Sequence, residues 1–389
     1  MAFTQNLDKE KKMHQKSRFP YLLLAVTLIF AFVLSACQPA ATPTPEPAAP
    51  VEAPTEAPKP TEPPAEPTAV PEPEVGSPEH PIKVLFVPSV DAQVIVSGGQ
   101  VMADALNKAT GMTFEVTVPT SYAATIEEMC ASPKDTIGFI PALGYVFASE
   151  LCGVDVSFKA VRRGFDVYWA QILVARDSDI KELKDLNGKK WGYTDPGSTS
   201  GYMVPLAMFQ DMGITPGESV ETGGHPQAVK AVYNGEVDFA TTFFSPATKP
   251  EGEEPWKVGD DPEIPADKIE SCALTEDKKS IVCDGWVVND ARGNIREEAP
   301  DVVQKVRILA ISPAIPNDTL SFSPEFPAEI RAKIEAALVE FAKTEEWNNS
   351  IGNKDFYGWS GLNPAEDAEY DFVRKMVEAA GVKLEDLGK

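Results

Sequence analysis

Residues 195–202 read Asp-Pro-Gly-Ser-Thr-Ser-Gly-Tyr, and this stretch decides how the chain around it folds. An apolar run over residues 191–193 precedes it, and a helical pattern over residues 202–212 follows it. Since proline and glycine favour a tight turn, the order predicts a strand, a turn and a helix N-terminus. The first N–H groups of a helix lack partners and its dipole is positive there, so three hydroxyl side chains at this point favour an anion site. The alternative is ordinary helix capping by Ser and Thr.

Strand and helix patterns alternate along the chain around this segment. Apolar strand patterns over residues 83–88, 114–118 and 136–140 are separated by helical patterns over residues 99–109 and 122–129, and a helix followed by a strand recurs over residues 227–241. Such alternation predicts a parallel α/β sheet, in which ligands bind beyond the carboxyl ends of the strands. Four segments at or just beyond such ends predict a binding cleft: Pro88-Ser89, residues 197–201, Gly223-Gly224-His225 and Thr241-Thr242.

Composition narrows the range of partners. The 389 residues carry a formal net charge of −24, which argues against nucleic acid and anionic membrane surfaces as partners. We therefore expect a bound anion to be held by local dipoles and hydrogen-bond donors rather than by a positive field. The region after residue 80 exceeds the usual size of one domain and suits two lobes. Within it, residues 246–298 are rich in Pro, Glu, Asp and Lys and predict an acidic surface insertion.

The N-terminal residues are typical of an exported protein. Five Lys and Arg residues among the first 18 precede an apolar run over residues 19–33, which is too short for a comfortable membrane span. The run ends in Leu34-Ser35-Ala36-Cys37, which resembles the lipobox of bacterial lipoproteins, where the cysteine is diacylated and the peptide before it is removed. We expect a lipoprotein signal peptide over residues 1–36 and an extracytoplasmic protein, anchored to the bacterial cell membrane by a lipid on Cys37. The alternatives are a plain signal peptide and a short anchor helix.

A low-complexity stretch of Pro, Ala, Glu and Thr follows over residues 37–80. Such a composition cannot bury a core and favours extended polyproline II conformation. We expect a disordered tether with a reach of about 100 Å, which would hold a folded region away from a membrane.

The remaining cysteines and histidines bear on disulfides and metals. An exported chain permits disulfides, and Cys130–Cys152 with Cys272–Cys283 is the pairing of sequence neighbours, one of three connectivities. The chain has no paired Cys-x-x-Cys motif, and His225 is the only histidine in the expected folded region. We therefore expect neither a metal site nor a cofactor.

Taken together, the motifs resemble the phosphate, phosphite and phosphonate-binding proteins of bacterial ABC importers, the PhnD-like family. The resemblance covers roughly residues 81–387 apart from the acidic insertion. It rests on residues 195–202, on Asn-Gly-Glu-Val-Asp-Phe-Ala at 234–240 and on Ser-Pro-Ala-Ile-Pro-Asn-Asp at 312–318. It implies an α/β fold of the type 2 periplasmic-binding-protein architecture, in which two lobes joined by two crossover strands close on a ligand.

The resemblance also implies the extent of the lobes and the ligand contacts. Lobe 1 would comprise residues 81–166 and 317–389, and lobe 2 residues 167–316. The implied contacts are a hydroxyl cradle of Ser198, Thr199 and Ser200, with Tyr122, Tyr168, His225 and Asp318 around it.

One departure from the family pattern concerns the ligand. In the family's aminoalkylphosphonate binders an acidic residue follows the strand that here ends near Thr241, whereas residues 241–245 contain no acid. The sequence therefore favours small phosphorus oxyanions over aminoethylphosphonate, with Phe243 or Phe244 narrowing the pocket.

The function expected is that of a monomeric binding protein that delivers a phosphorus oxyanion to an ABC permease. A binding protein that serves a membrane sensor is the first alternative. A serine hydrolase built from Ser200, His225 and Asp318 is the second, but residues 197–201 place Thr199 at the centre of the turn, where a nucleophile elbow needs serine. We therefore do not expect an enzyme.

Overall fold

The computed structural model describes residues 72–386, which belong to one compact unit. The expected signal peptide, Cys37 and most of the expected tether lie outside the described residues. The strands are β1 Ile82–Phe86, β2 Phe114–Thr117, β3 Thr136–Ile140, β4 Asp155–Val161, β5 Val167–Ala175, β6 Trp191–Tyr193, β7 Ser219–Glu221, β8 Phe239–Phe244, β9 Ala273–Leu274, β10 Ile281–Cys283, β11 Trp286–Val287, β12 Val306–Ile311, β13 Ile315–Pro316, β14 Thr319–Phe322 and β15 Gly361–Pro364. The α-helices are α1 Ala92–Thr110, α2 Tyr122–Ala131, α3 Ala142–Cys152, α4 Val204–Asp211, α5 His225–Tyr233, α6 Val302–Lys305, α7 Ala328–Phe341 and α8 Asp371–Ala380. Short 3₁₀ helices occupy Leu183–Leu186, Ala266–Ser271, Ala291–Ile295, Glu345–Asn349, Asp367–Tyr370 and Leu384–Asp386, and a π-helical turn occupies Thr199–Met203.

Lobe 1 is built on a six-stranded sheet in the order β15-β4-β14-β3-β1-β2. The strand β1 pairs in parallel with β2 and β3, as the alternation of strands and helices predicts, and β14 returns antiparallel between β3 and β4. Phe86 on β1 stacks on Phe139 of β3 with ring centroids 4.8 Å apart. Burying each such ring contributes about 1.5–3 kcal/mol, so this pair stabilises the packing of β1 against β3.

Lobe 2 is built on a second sheet in the order β12-β5-β8-β6-β7, with β13 paired to β5. The strand β6 pairs in parallel with β7 and β8, and β5 pairs antiparallel with β8 and β12. The chain passes between the two sheets twice, from β4 to β5 and from β13 to β14. The fold class expected from the sequence, an α/β protein of two lobes with two crossovers, is confirmed.

The sequence patterns did not predict α3 and β4, and they placed the start of α1 too late. The helix α3 has no amphipathic pattern because its first seven residues, Ala142 to Ala148, are all buried. The helix α1 begins at Ala92, seven residues before the predicted start at residue 99. Gly98 and Gly99 hid this start, since glycine disfavours helix; a Cβ on Gly98 would lie 2.6 Å from the Phe356 ring.

The folded part also begins earlier than the predicted tether end at residue 80. The N–H of Gly76 donates to the carbonyl of His80 at 2.7 Å, and Thr113 N–H donates to the carbonyl of Gly76 at 2.8 Å. The His80 ring bonds Asp135 at 2.7 Å, and this bond raises the pKa of His80. Backbone and side-chain bonds therefore attach residues 76–80 to lobe 1, in place of the expected tether.

The acidic insertion contains a small sheet of its own. Its strands β9, β10 and β11 form an antiparallel sheet, which a disulfide between Cys272 and Cys283 staples. The second disulfide joins Cys130 at the end of α2 to Cys152 at the end of α3. The structure thus contains the pairing of sequence neighbours.

A buried arginine ties the insertion to the sheet of lobe 2. The Arg292 side chain is fully buried and donates to Asp290 at 2.9 Å, to Glu263 at 2.8 Å and to the carbonyl of Val306 on β12 at 3.2 Å. Two carboxylates and a carbonyl therefore compensate one desolvated cation, which makes the joint costly to break.

Candidate ligand-binding site

A cavity lies between the two sheets, with walls from both lobes. Six of the seven predicted contacts line it: Tyr122, Tyr168, Ser198, Ser200, His225 and Asp318. Tyr122 and Asp318 belong to lobe 1 and the other four belong to lobe 2, so the two crossovers bring the predicted groups together. The insertion supplies a further part of the wall.

The hydroxyl turn works both as a helix cap and as a donor surface. Ser198 is the N-cap residue, and its Oγ accepts a hydrogen bond from Gly201 N–H at 3.0 Å. Its carbonyl accepts from the N–H groups of Tyr202 and Met203, both at 3.1 Å, which produces the π-helical turn. Because the Ser198 oxygen is used as an acceptor, its hydrogen remains to be donated into the cavity. Capping and anion binding are therefore compatible roles for this turn.

Thr199 is the one predicted contact that does not lie on the cavity wall. It is fully buried, and its Oγ1 accepts a hydrogen bond from Leu143 N–H at 2.9 Å. Leu143 is the second residue of α3 in lobe 1, so this bond joins the two lobes. The close approach also explains Gly197, where a Cβ would lie 2.5 Å from the Cβ of Tyr122.

Three tyrosines contribute phenol groups to the wall. Burial raises the pKa values of Tyr122 and Tyr168, so both phenols stay protonated and act as donors. Tyr168 also interacts with the hydroxyls of Ser200 and Thr199. Tyr357 was missed by the sequence analysis; its hydroxyl accepts from Val87 N–H at 3.0 Å at the end of β1.

His225 is a neutral hydrogen-bond donor at the start of α5. Its ring Nδ1 accepts from Phe243 N–H at 3.3 Å, which assigns the ring proton to Nε2. Burial, helped by the nearby Arg162 cation, lowers the pKa of His225 to about 3. The residue is 6% exposed and lies on the cavity wall. An anion in the cavity would therefore meet an uncharged N–H.

Asp318 is paired with an arginine that the sequence analysis missed. The Arg162 guanidinium donates to Asp318 Oδ2 at 2.5 Å, to Asn317 Oδ1 at 2.7 Å and to the carbonyl of Tyr357 at 2.8 Å. These bonds connect the two crossovers, because Arg162 precedes β5 and Asp318 precedes β14. The signal available in the sequence was the pair Arg162-Arg163 immediately before the long extended run.

The region without an acid, residues 241–245, is divided between core and wall. Thr241 donates to the carbonyl of Gly201 at 2.5 Å and faces the core, whereas Phe243 and Ser245 line the cavity. Phe243 packs edge-on against the His225 ring at 5.0 Å. Phe243 thus narrows the pocket as expected, and Phe244 lies in the core.

The charge of the cavity differs from the expectation based on composition. Five cationic side chains line it, Arg162, Arg163, Lys279, Arg296 and Lys354, against three carboxylates, Asp290, Asp318 and Asp355. With His225 neutral, five minus three leaves two positive charges. The site is therefore locally positive although the chain is strongly acidic. Lys279 and Arg296 belong to the insertion, which the sequence analysis did not connect with the site.

The insertion also contacts lobe 1 through residues that line the cavity. The two terminal nitrogens of Arg296 donate to the two oxygens of Asp355, both at 2.7 Å. Lys354 of lobe 1 donates to the Ser280 hydroxyl of the insertion at 2.9 Å. The bidentate pair of Arg296 and Asp355 fixes the relative orientation of the two side chains as well as stabilising the contact.

Residues 72–386 contain neither a metal-binding cluster nor a membrane-spanning helix. This part of the chain contains no cluster of three or more His, Cys, Asp or Glu side chains suited to a metal ion. None of its helices combines the length and the apolar character that crossing a bilayer requires.

Comparison with known proteins supplies the family. A family model described as "ABC transporter, phosphonate, periplasmic substrate-binding protein" matches residues 84–370, more than half of the chain. The phosphate-import protein PhnD of Mycolicibacterium smegmatis is 25% identical over 320 residues, which cover 79% of this chain and 87% of the relative.

Solved structures agree in fold. The binding-protein component of an ABC phosphonate transporter from Pseudomonas aeruginosa superposes with a TM-score of 0.58 at 17% identity, covering 77% of this chain and 86% of its own. PhnD1 of Prochlorococcus marinus, solved in complex with methylphosphonate, gives a TM-score of 0.56 at 12% identity, covering 77% and 98%. The expected type 2 periplasmic-binding-protein architecture is confirmed by these likenesses. The chain belongs to the family of periplasmic substrate-binding proteins of ABC phosphonate transporters.

Proposed function

We propose that the protein captures a phosphorus oxyanion in the cleft between its lobes and delivers it to an ABC permease. The oxyanion is a phosphonate, phosphite or phosphate. The observation that carries the proposal is the convergence of neutral donors from both lobes on one cavity: Ser198, Ser200, Tyr122, Tyr168 and His225. A tetrahedral oxyanion has several acceptor atoms and is matched by donors that surround it.

The helix start adds to this set of donors. The π-helical turn begins at Thr199, and the first N–H groups of a helix have no acceptor within it. The positive end of the helix dipole favours an anion at the same point. Family membership supports transport as the purpose of capture, and contacts such as that of Thr199 with Leu143 support closure of the lobes as the signal to the permease.

Hydrolysis is not supported by the geometry of the candidate triad. In a catalytic triad the histidine donates its Nδ1–H to the acid. Here the Nδ1 of His225 accepts from Phe243 N–H, and Asp318 is paired with Arg162. The family is likewise one of binding proteins rather than enzymes.

Anchoring completes the proposal. The lipobox-like residues 34–37 support acylation of Cys37, and the Pro-rich residues after it support a tether that leaves the cleft free to meet a permease. The protein would then act outside the cytoplasm, as a monomer on the membrane surface.

The test is a calorimetric titration of the detergent-solubilised protein with methylphosphonate, phosphite, phosphate and, as a contrast, sulfate. Sulfate lacks a proton that Asp318 would accept, so we expect it to bind more weakly. A double change, Ser198→Ala with Ser200→Ala, removes two hydrogen bonds to the anion, each worth about 1.5–3 kcal/mol, and should nearly abolish binding. Ser219→Ala, on the exposed strand β7, is the matched control. If the double variant binds phosphorus oxyanions like the wild type, the site is elsewhere.

A further inference from the structure

Three cations that line the cavity form no salt bridge with a carboxylate of the described residues. Arg162 and Arg296 are each paired, with Asp318 and Asp355 respectively. Among the described residues, no salt bridge is formed by Arg163, Lys279 or Lys354, although all three line the cavity. The neighbouring Asp290 is already bound by the buried Arg292. The cavity therefore holds positive charge beyond what its own carboxylates compensate.

Arg163 is held at the cavity by an unusual backbone conformation. Reciprocal hydrogen bonds between Arg162 and Phe165, at 2.8 and 3.0 Å, close a two-residue turn in which Arg163 has φ of 51° and Gly164 has φ of 85°. Asn and Gly are the usual residues at the first position of such a turn, so a long cationic side chain there is strained. Strain of this kind commonly accompanies a functional role.

The surroundings of Arg163 make a charge there costly without a partner. The residue is half-buried and lies beside the Arg162 cation, and the carboxylate that attracts it, Asp290, is already paired with Arg292. Burial lowers the pKa of Arg163 to about 10, which still leaves the guanidinium charged at neutral pH. A desolvated cation next to another cation is stabilised most by an anion that enters the cavity.

Lys354 and Lys279 lie on the same cavity wall. Lys354 donates to the Ser280 hydroxyl at 2.9 Å, and burial, with repulsion from Arg296 and Arg163, lowers its pKa against the attraction of Asp355 and Asp277. Lys279, an exposed residue that precedes Ser280 in the insertion, also lines the cavity, so the insertion and lobe 1 each contribute a lysine to the cavity that Arg163 lines.

We propose that Arg163, Lys279 and Lys354 form a second anion subsite, and that the compound bound is a phosphorus oxyanion carrying a second acidic group, a carboxylate or a second phosphoryl. This inference rests on the proposed function, since the neutral donors around Ser198 and His225 hold the first group. It extends the sequence-based expectation, because a cationic subsite disfavours the ammonium of aminoethylphosphonate as well as leaving it without an acid.

The test uses three ligands that share a phosphonyl group on a two-carbon chain and differ at its far end. Ethylphosphonate is neutral there, 2-aminoethylphosphonate is cationic and 3-phosphonopropionate is anionic; methylenediphosphonate supplies a second phosphoryl. By calorimetry on the detergent-solubilised protein, we expect one or both of the doubly acidic ligands to bind at least about tenfold more tightly than ethylphosphonate, because a hydrogen bond to a charged group contributes that much or more. We expect 2-aminoethylphosphonate to bind most weakly.

Variants localise the effect. Arg163→Asn is combined with Lys354→Gln, because asparagine tolerates the backbone conformation of the turn. In this double variant the dissociation constants of the doubly acidic ligand and of ethylphosphonate should differ by no more than about threefold. Lys257→Gln, which removes an exposed cation of the insertion outside the cavity, should leave the ratio unchanged. Melting temperatures of all variants control for folding.

The outcomes separate this inference from the proposed function. If methylphosphonate and ethylphosphonate bind but the doubly acidic ligands bind no more tightly, the second subsite is refuted while the proposed function stands. If the preference survives in the double variant, these residues are not its source and the inference is equally overturned. If no phosphorus oxyanion binds at all, both the function and the inference fail.

Discussion

Thr199 joins the two lobes through one buried hydrogen bond, and Thr199→Val removes it with little change in side-chain volume. The Oγ1 of Thr199 accepts from Leu143 N–H at 2.9 Å. Leu143 lies in the first turn of α3, where an N–H group has no acceptor within the helix. In a closed cleft the variant leaves this donor buried and unsatisfied, whereas in an open cleft water satisfies it.

The magnitude follows from that asymmetry. An unsatisfied buried donor costs about 1–3 kcal/mol, and the cost falls on the closed form alone. The dissociation constant for a phosphonate should therefore rise about 5- to 150-fold, since ligand binding must drive closure. We expect most of the change in the dissociation rate, because the contact forms after the ligand has entered.

The assay is calorimetry with methylphosphonate, combined with stopped-flow measurement of ligand release. Thr199→Ser is the matched control, because it keeps the oxygen acceptor and should bind within a few-fold of the wild type. Equal affinity of the valine variant and the wild type would refute the interlobe contact. So would a serine variant as weak as the valine variant, since the hydroxyl would then not be the group that matters.

Three further predictions concern pH, stability and anchoring. The pKa of His225 lies at about 3 in the folded protein against 6.5 for a free histidine, so the unfolded chain gains a proton first and stability is lost as pH falls below 6.5. At pH 5 the loss in the free energy of unfolding is about 2 kcal/mol. When unfolding by denaturant is compared at pH 7.5 and pH 5, His225→Gln should lose about that much less stability than the wild type. An equal loss in both proteins would contradict the prediction. Arg292→Met leaves the buried Asp290 without its cation and Glu263 with Arg176 alone, and it should lower the free energy of unfolding by about 3–5 kcal/mol, whereas Lys257→Met on the exposed surface should change it little. Cys37→Ser should leave the protein unprocessed or release it from the membrane fraction, and normal anchoring of that variant would rule out the proposed lipid attachment.

The local part of the site was readable from the sequence. The turn at residues 195–202 is specified by proline, glycine and hydroxyl residues that act within one turn of helix, and the structure has the expected strand, turn and helix start there. The same holds for His225 after its glycine pair and for the alternation that produced the parallel core of lobe 1. These features depend on neighbours a few residues apart, so periodicity and turn chemistry are enough to predict them.

The remainder was decided by tertiary structure. Thr199 has the residue type of a ligand contact, but packing against Leu143 from the other lobe takes it off the cavity wall. The local positive charge comes from cations in segments distant along the chain, and the pairing of Arg296 with Asp355 across 59 residues determines which of them are compensated. The local pattern of residues predicts which face of a helix or strand is apolar and which type of turn connects two elements. Which charges share a cavity depends on how two sheets and a disulfide-stapled insertion meet, and no local pattern encodes that.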